Sequence, residues 1–171
     1  MNINYFQFFD MLPEALLVGA LIITFIADFI AHGKEEKGWL NPLVSILLAA
    51  CTAVTLGCVY CDCGCASEVL FGGAYVATPA NTMMKAILCA GTLIVVLQSK
   101  LWLSREETKV IEGEFYMLTI STLLGMYIMM SAGSFLMFFL GLETASVPLA
   151  CMVALDKYKK DSAEAAAKFI L

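Results

Sequence analysis

Apolar residues run through this chain in five long blocks, at about residues 12–31, 40–60, 81–103, 115–131 and 134–155, separated by short polar stretches. At about 1.5 Å of rise per residue, 20 residues of helix measure about 30 Å, the thickness of a bilayer's hydrocarbon core. Each block is therefore predicted to be a transmembrane helix. The breaks carry turn or charge signals: His32 to Gly38, a loop with Gly72, Gly73 and Pro79, the charged stretch Ser104 to Glu114, and the pair Ala132-Gly133. Past the fifth block, Asp161-Ser162-Ala163-Glu164 reads as a capping box opening a sixth helix near residue 162. Only about three turns of it follow, too few to cross. Because an unfinished crossing leaves backbone groups unsatisfied in lipid, a fragment, or a truncated reading frame, of a longer protein is expected. The predicted fold is all-α: a polytopic membrane helix bundle with five complete transmembrane helices plus the start of a sixth, all within one membrane domain over residues 1–171.

Composition agrees with this pattern. The chain is 61% hydrophobic and 15% charged, with a mean hydropathy of +0.85, far from the balance of a soluble domain. Its length of 171 residues holds five spans and their loops but no separate soluble domain. No basic surface and no glycine-rich phosphate loop is present, so nucleic acid is not an expected partner, and the bilayer is. The first block follows MNINYFQFFDM, which has no Lys or Arg. It therefore reads as a retained span rather than a cleaved signal. Eight of the ten Lys and Arg residues fall in or at the edge of the first, third and fifth connections (Lys100 at the end of the third block), and the other two, Lys85 and Lys168, fall deeper in helices. The positive-inside rule then places the N-terminus outside.

Candidate chemistry centres on the fifth block. Glu143 lies near its middle, at a depth where an ionisable group costs on the order of 2–4 kcal/mol unless protein or water solvates it. Pro148 has no N–H, so the carbonyl of Thr144, beside Glu143, loses its helical partner. An acid next to a free carbonyl suits proton handling, with desolvation favouring the neutral acid or a cation from another helix holding it ionised. The alternative is a hydrogen-bonded structural acid. Gly141 and Ala145, four residues apart, allow a neighbouring helix to pack closely. Lys168 either modulates charge toward Glu143 or forms a surface pair with Glu164. Lys85 opens a stripe with Cys89, Thr92, Val96 and Ser99, one helical face. That face either lines a hydrated seam or leaves Lys85 to snorkel to the headgroups. Glu14 and Asp28, near the two ends of the first block, can reach the interface and read as interfacial acids in preference to catalytic ones.

The cysteines are more ambiguous. Cys58, Cys61, Cys63 and Cys65 form C-x2-C-x-C-x-C at the end of the second block. Small apolar packing residues, disulfides and a metal site are all open readings, although a second C-x2-C at a distance is absent. Cys51, Cys89 and Cys151 fall within blocks as packing residues. Tyr116, Thr119, Ser121 and Thr122 add hydroxyls to the fourth block, which either bond nearby carbonyls or hold water beside Glu143.

Three segments carry a family resemblance. Residues 141–149, GLETASVPL, resemble the fifth-helix motif G-L-E-x-x-S-x-P-L of subunit N of the proton-translocating NADH:quinone oxidoreductases, the antiporter-like membrane subunits of respiratory complex I. Residues 112–116 resemble that family's G-E-[FY]-Y fourth-helix opening, and residues 162–169 its E-A-x-x-K-[YF] sixth-helix opening. The resemblance implies a membrane-arm subunit of a translocase that moves protons as quinone is reduced elsewhere, in a bacterial, mitochondrial or plastid inner membrane. Glu143 would match the key glutamate and Lys168 the sixth-helix lysine, with Lys85 a further, speculative candidate. The implied partners are other membrane-arm subunits, with quinone as the substrate of the complex. No cofactor or metal is expected on this chain, and quinone, FMN and Fe–S clusters are implied elsewhere in the complex. The family pairs its glutamate with a lysine on a seventh helix and relays onward through the eighth and twelfth, and none of those positions exists here. Rival readings are a cation/proton antiporter or membrane hydrogenase subunit, a non-transporting scaffold, and, from another class, a membrane thiol oxidoreductase using Cys58 and Cys61.

Overall fold

The computed structural model describes residues 11–31, 39–60, 68–103, 112–155 and 160–170. In chain order these form α1 (Leu12–Ala31), α2 (Leu40–Tyr60), β1 (Glu68–Leu70), β2 (Tyr75–Ala77), α3 (Pro79–Leu103), α4 (Glu112–Met130), α5 (Phe135–Val153) and α6 (Lys160–Ile170). The first five helices are each long and apolar enough to cross a membrane. The expected all-α bundle of five spans and a beginning sixth is therefore what the chain forms.

Local chemistry sets the helix starts. Thr78 Oγ1 accepts the amide of Asn81 at 3.2 Å, and Pro79 follows at the first helical position. There its fixed φ suits the helix and its missing N–H would have been an orphan anyway. This moves the start of α3 two residues ahead of the predicted 81. Ser134, in extended conformation, caps α5 by accepting the amide of Met137 at 3.3 Å. Helix α4 begins at Glu112 rather than 115, with Glu112 buried beneath Tyr116 Oη, which reaches its Oε1 at 3.4 Å.

The packing centre lies among α1 to α4. Leu17, Leu40, Val44, Leu48, Val96, Ile120 and Leu123 fill it, and Tyr116 and Tyr127 bring hydroxyls to its edges. Each hydroxyl is satisfied. Asn41 Nδ2 donates to Tyr116 Oη at 2.6 Å, and Tyr127 Oη donates to the backbone carbonyl of Lys85 at 3.0 Å. Helix α5 is held differently, by close backbone approach to α4. A Cβ placed on Gly125 would lie 2.4 Å from the amide nitrogen of Ala145, and one on Gly141 would lie 2.7 Å from that of Met129. Without a hydrophobic drive between helices in lipid, such small-residue contact maximises dispersion between them. The spacing of Gly141 and Ala145 thus does what the sequence implied. Large apolar side chains cover the outward surfaces, among them Phe29, Leu101, Phe135 and Leu136.

The connection between α2 and α3 holds a feature not expected from the sequence. β1 and β2 form an antiparallel hairpin with Val69 opposite Val76 and Leu70 opposite Tyr75. Its turn runs through positive φ at Phe71 (53°), Gly72 (66°) and Gly73 (96°). The hairpin sits on the α4–α5 turn, where the Val76 amide donates to the Ser131 carbonyl at 2.9 Å and the Gly133 amide to the Ala74 carbonyl at 2.8 Å.

Candidate functional site

Glu143 stands near the middle of α5. It is two residues beyond Gly141, which turns its side chain about 200° around the helix from the contact with α4. The carboxyl is accordingly exposed on this chain. It borders a groove of about 460 Å³ between α5 and α6, lined also by Ser146, Val147, Ala150, Ala166 and Phe169. Ser146 Oγ donates to the backbone carbonyl of Glu143 at 3.4 Å, and Thr144 Oγ1 to that of Leu140 at 2.7 Å. Hydroxyl groups thus supplement the ladder around Pro148, which lies inside the helix.

Lys168 is not brought to Glu143. Its Nζ lies 2.6 Å from Glu164 Oε1, and both side chains are exposed, the i,i+4 pair given above as one of its two readings. Cys151, expected as a packing residue, is exposed on α5, because that helix buries only its α4 side. Cys51 and Cys89 are buried in the core. Cys58 is half-buried in the last turn of α2. Cys61, Cys63 and Cys65 lie outside the described residues, as do the basic residues Lys34, Lys37, Arg105, Lys109, Lys157 and Lys159. Among the described residues, no group of three His, Cys, Asp or Glu side chains converges.

Lys85 and Glu14 correct the sequence reading. Neither reaches out to headgroups: they are 2% and 4% exposed and form an ion pair, Nζ to Oε1 at 2.5 Å. Tyr75, from the hairpin, donates its hydroxyl to Glu14 Oε1 at 3.0 Å and accepts from Lys85 Nζ at 3.2 Å. The ammonium also lies 5.3 Å and 5.7 Å from the ring centroids of Tyr75 and Tyr127, within cation–π range. Lys85 has no reason to snorkel, since everything an ammonium needs is supplied where it stands. Asp28, half-buried near the end of α1, has a packing partner as well. A Cβ on Gly113 would come 2.0 Å from its Oδ1, so its carboxylate presses on the first turn of α4, where the helix dipole favours an anion.

The stripe on α3 faces inward, as one helical face should. Lys85, Cys89 and Val96 are buried, and Thr92 and Ser99 are half-buried. Its hydroxyls turn back onto their own helix, Thr92 to the Leu88 carbonyl and Ser99 to that of Val96, each at 2.8 Å. Thr119 and Thr122 do the same on α4. The Glu14–Lys85 pairing was missed because the two residues are 71 positions apart. The clue was there, however: each sits about one turn from the predicted edge of its block, and with alternating connections those edges fall at the same end of the bundle.

Comparison with known proteins completes the description. No family model matches the chain. It is 49% identical over 161 residues to the NADH-quinone oxidoreductase subunit N of Phocaeicola vulgatus, an alignment covering 94% of this chain and 32% of that protein. To the subunit of the same name in Azobacteroides pseudotrichonymphae it is 38% identical, over 98% of this chain and 34% of the relative. The NAD(P)H-quinone oxidoreductase subunit 2 of Acaryochloris marina is 29% identical over 94% of this chain and 30% of its own length. This chain therefore spans about a third of the curated relatives it matches. On these similarities, which run over nearly the whole of it, the chain belongs to the subunit N family of NADH-quinone oxidoreductases.

Proposed function

We propose that this chain is a membrane-embedded part of a proton-translocating NADH:quinone oxidoreductase, and that Glu143 is its proton-handling carboxylate. The observation that carries this reading is the placement of Glu143, an ionisable group in the middle of an apolar helix and turned away from its own bundle. At that depth a charge costs on the order of 2–4 kcal/mol when it faces acyl chains. The groove between α5 and α6 offers it Ser146 among largely apolar walls, and relatives about three times as long leave room for further protein to cover it. In this reading a proton adds to the carboxylate when a nearby positive charge withdraws and leaves when that charge returns. Lys168, one turn beyond Glu164, is the modulating cation on this chain, freed from its surface pair when the groove is covered. Quinone reduction elsewhere in the complex supplies the energy, and the partners are its other membrane subunits. The distribution of Lys and Arg supports an N-terminus outside.

The test uses the full-length protein in the assembled oxidoreductase, reconstituted in vesicles. Glu143→Gln keeps the side chain's shape and removes the titration. Loss of proton movement with assembly intact supports the reading. Wild-type proton movement per quinone reduced in that variant refutes it.

A further inference from the structure

The Glu14–Lys85 pair contains an imbalance that packing does not require. Its ammonium is well served, donating to Glu14 Oε1 and Tyr75 Oη and lying over two aromatic rings. The carboxylate is served on one side only. Oε1 takes both the ammonium and the Tyr75 hydroxyl, while Oε2 is buried and has no hydrogen-bond partner. Ser131 Oγ, beside the hairpin that carries Tyr75, is a second buried oxygen without one. A bare oxygen on a buried carboxylate is costly, and the cost falls when the oxygen gains a proton or a water. The pair is also close to an end of the bundle. Lys85 is six residues into α3, about 9 Å from its start, and Tyr75, 1% exposed, lies over it.

We propose that Glu14 and Lys85 form a second proton-binding site of the membrane bundle, loaded at Glu14 Oε2 from the hairpin end. Loading forms one O–H bond with a proton from water and removes the carboxylate's charge, and unloading is the reverse. Lys85 sets the occupancy: its ammonium favours the empty carboxylate, and removal of that charge favours the loaded acid. Tyr75 covers the site and holds Oε1, which leaves Oε2 as the exchanging atom. The other titratable groups facing the site are Tyr75 on β2, Tyr127 on α4 and, behind Tyr127, Cys89 on α3 and Cys51 on α2. This inference rests on the membrane-spanning reading above but not on any role for Glu143.

The experiment again uses the full-length protein in the assembled oxidoreductase in vesicles. Glu14→Gln alone risks stranding the ammonium, so the charge-free Glu14→Gln/Lys85→Met variant is measured beside it. Retained quinone reduction with loss of proton movement in the double variant, and recovery in Lys85→Arg but not Lys85→Met, is the expected result. If the double variant assembles and moves protons at the wild-type ratio, the pair is a structural tie and the proposal is overturned. In the unsubstituted protein, a hydrophobic carbodiimide, which attacks protonated carboxyls, should modify Glu14 or link it to Lys85, and more so at lower pH. Peptide mapping that finds neither product at any pH also overturns the proposal, whether or not the variants assemble. Glu143→Gln in the same series separates the two readings. Loss there with unchanged Glu14 variants removes only this proposal, and the converse removes only the role of Glu143.

Discussion

The crossing of α4 and α5 gives the most direct test of the structure, because backbone rather than side chain blocks the added atom. In Gly125→Ala the new Cβ would lie 2.4 Å from the amide nitrogen of Ala145, 2.7 Å from the carbonyl carbon of Thr144 and 2.8 Å from the Cα of Ala145. An ordinary contact needs about 3.4 Å or more, so the helices must part by about 1 Å along their contact. Over-packing of this kind costs about 1–3 kcal/mol, a five- to 150-fold loss in the folding equilibrium. The change also gains up to about 1 kcal/mol of helix propensity, which makes a control essential. Gly57→Ala and Gly91→Ala supply it, since a Cβ at either position meets nothing within 4 Å. The assay is reversible unfolding of the full-length protein in mixed micelles. Gly57→Ala and Gly91→Ala should be neutral or mildly stabilising and Gly125→Ala destabilising. Equal behaviour of the three would refute the close crossing and, with it, the orientation that turns Glu143 away from α4.

Other perturbations probe the remaining polar contacts. Asn41→Leu removes the donor to both Tyr116 Oη and the Val96 carbonyl, leaving buried acceptors, and should cost about 1–3 kcal/mol in the same unfolding assay. Lys85→Met strands a 4% exposed carboxylate beside Tyr75 and should cost about 3–5 kcal/mol. Adding Glu14→Gln should recover most of that, and a fully additive pair of losses would contradict the ion pair. Lys168→Ala breaks only an exposed i,i+4 pair and should change stability by no more than about 0.5 kcal/mol. Gly133→Val places a Cβ 2.2 Å from the Gly73 carbonyl oxygen and should unseat the hairpin, read as faster proteolysis between β1 and β2.

The spans were legible because lipid imposes one rule along the whole chain: about 20 apolar residues and then a polar break. The helix ends were less so. Thr78-Pro79 is a recognisable cap and N1 pair, but Pro79 after Gly72-Gly73 is an equally good loop signal. The hairpin was also signalled, by Gly72-Gly73 between Val69-Leu70 and Tyr75-Val76, yet three-residue strands are too short for a periodic pattern. Gly141 and Ala145 could be read as a contact face, whereas their partner Gly125 could not be named. Nothing in a single sequence says which helices touch. The same limit hid the joining of Glu14 to Lys85 and of Asp28 to the start of α4. Each residue, taken alone, had a sufficient explanation at the membrane edge.

These pairings divide the ionisable residues of the bundle into two groups. Lys85 and Glu14 pair behind Tyr75, Glu112 is buried under Tyr116, and Asp28 presses on the first turn of α4, so each of these groups within α1 to α4 meets a contact from the chain itself. Glu143 differs in placement and in surroundings. It is central along its helix, exposed, and bordered by Ser146 and by the apolar side chains of α6. Were it tied into its own bundle as Glu14 is, it would have to face α4, where Gly141 and Ala145 instead bring backbone against backbone. The proposed role requires that protein or water beyond the described helices solvate a carboxylate kept out of that contact. The tight crossing at Gly125 and Gly141 fixes its direction, and so a close contact on one face of α5 presents the carboxyl on the other, as the proposed role for Glu143 requires.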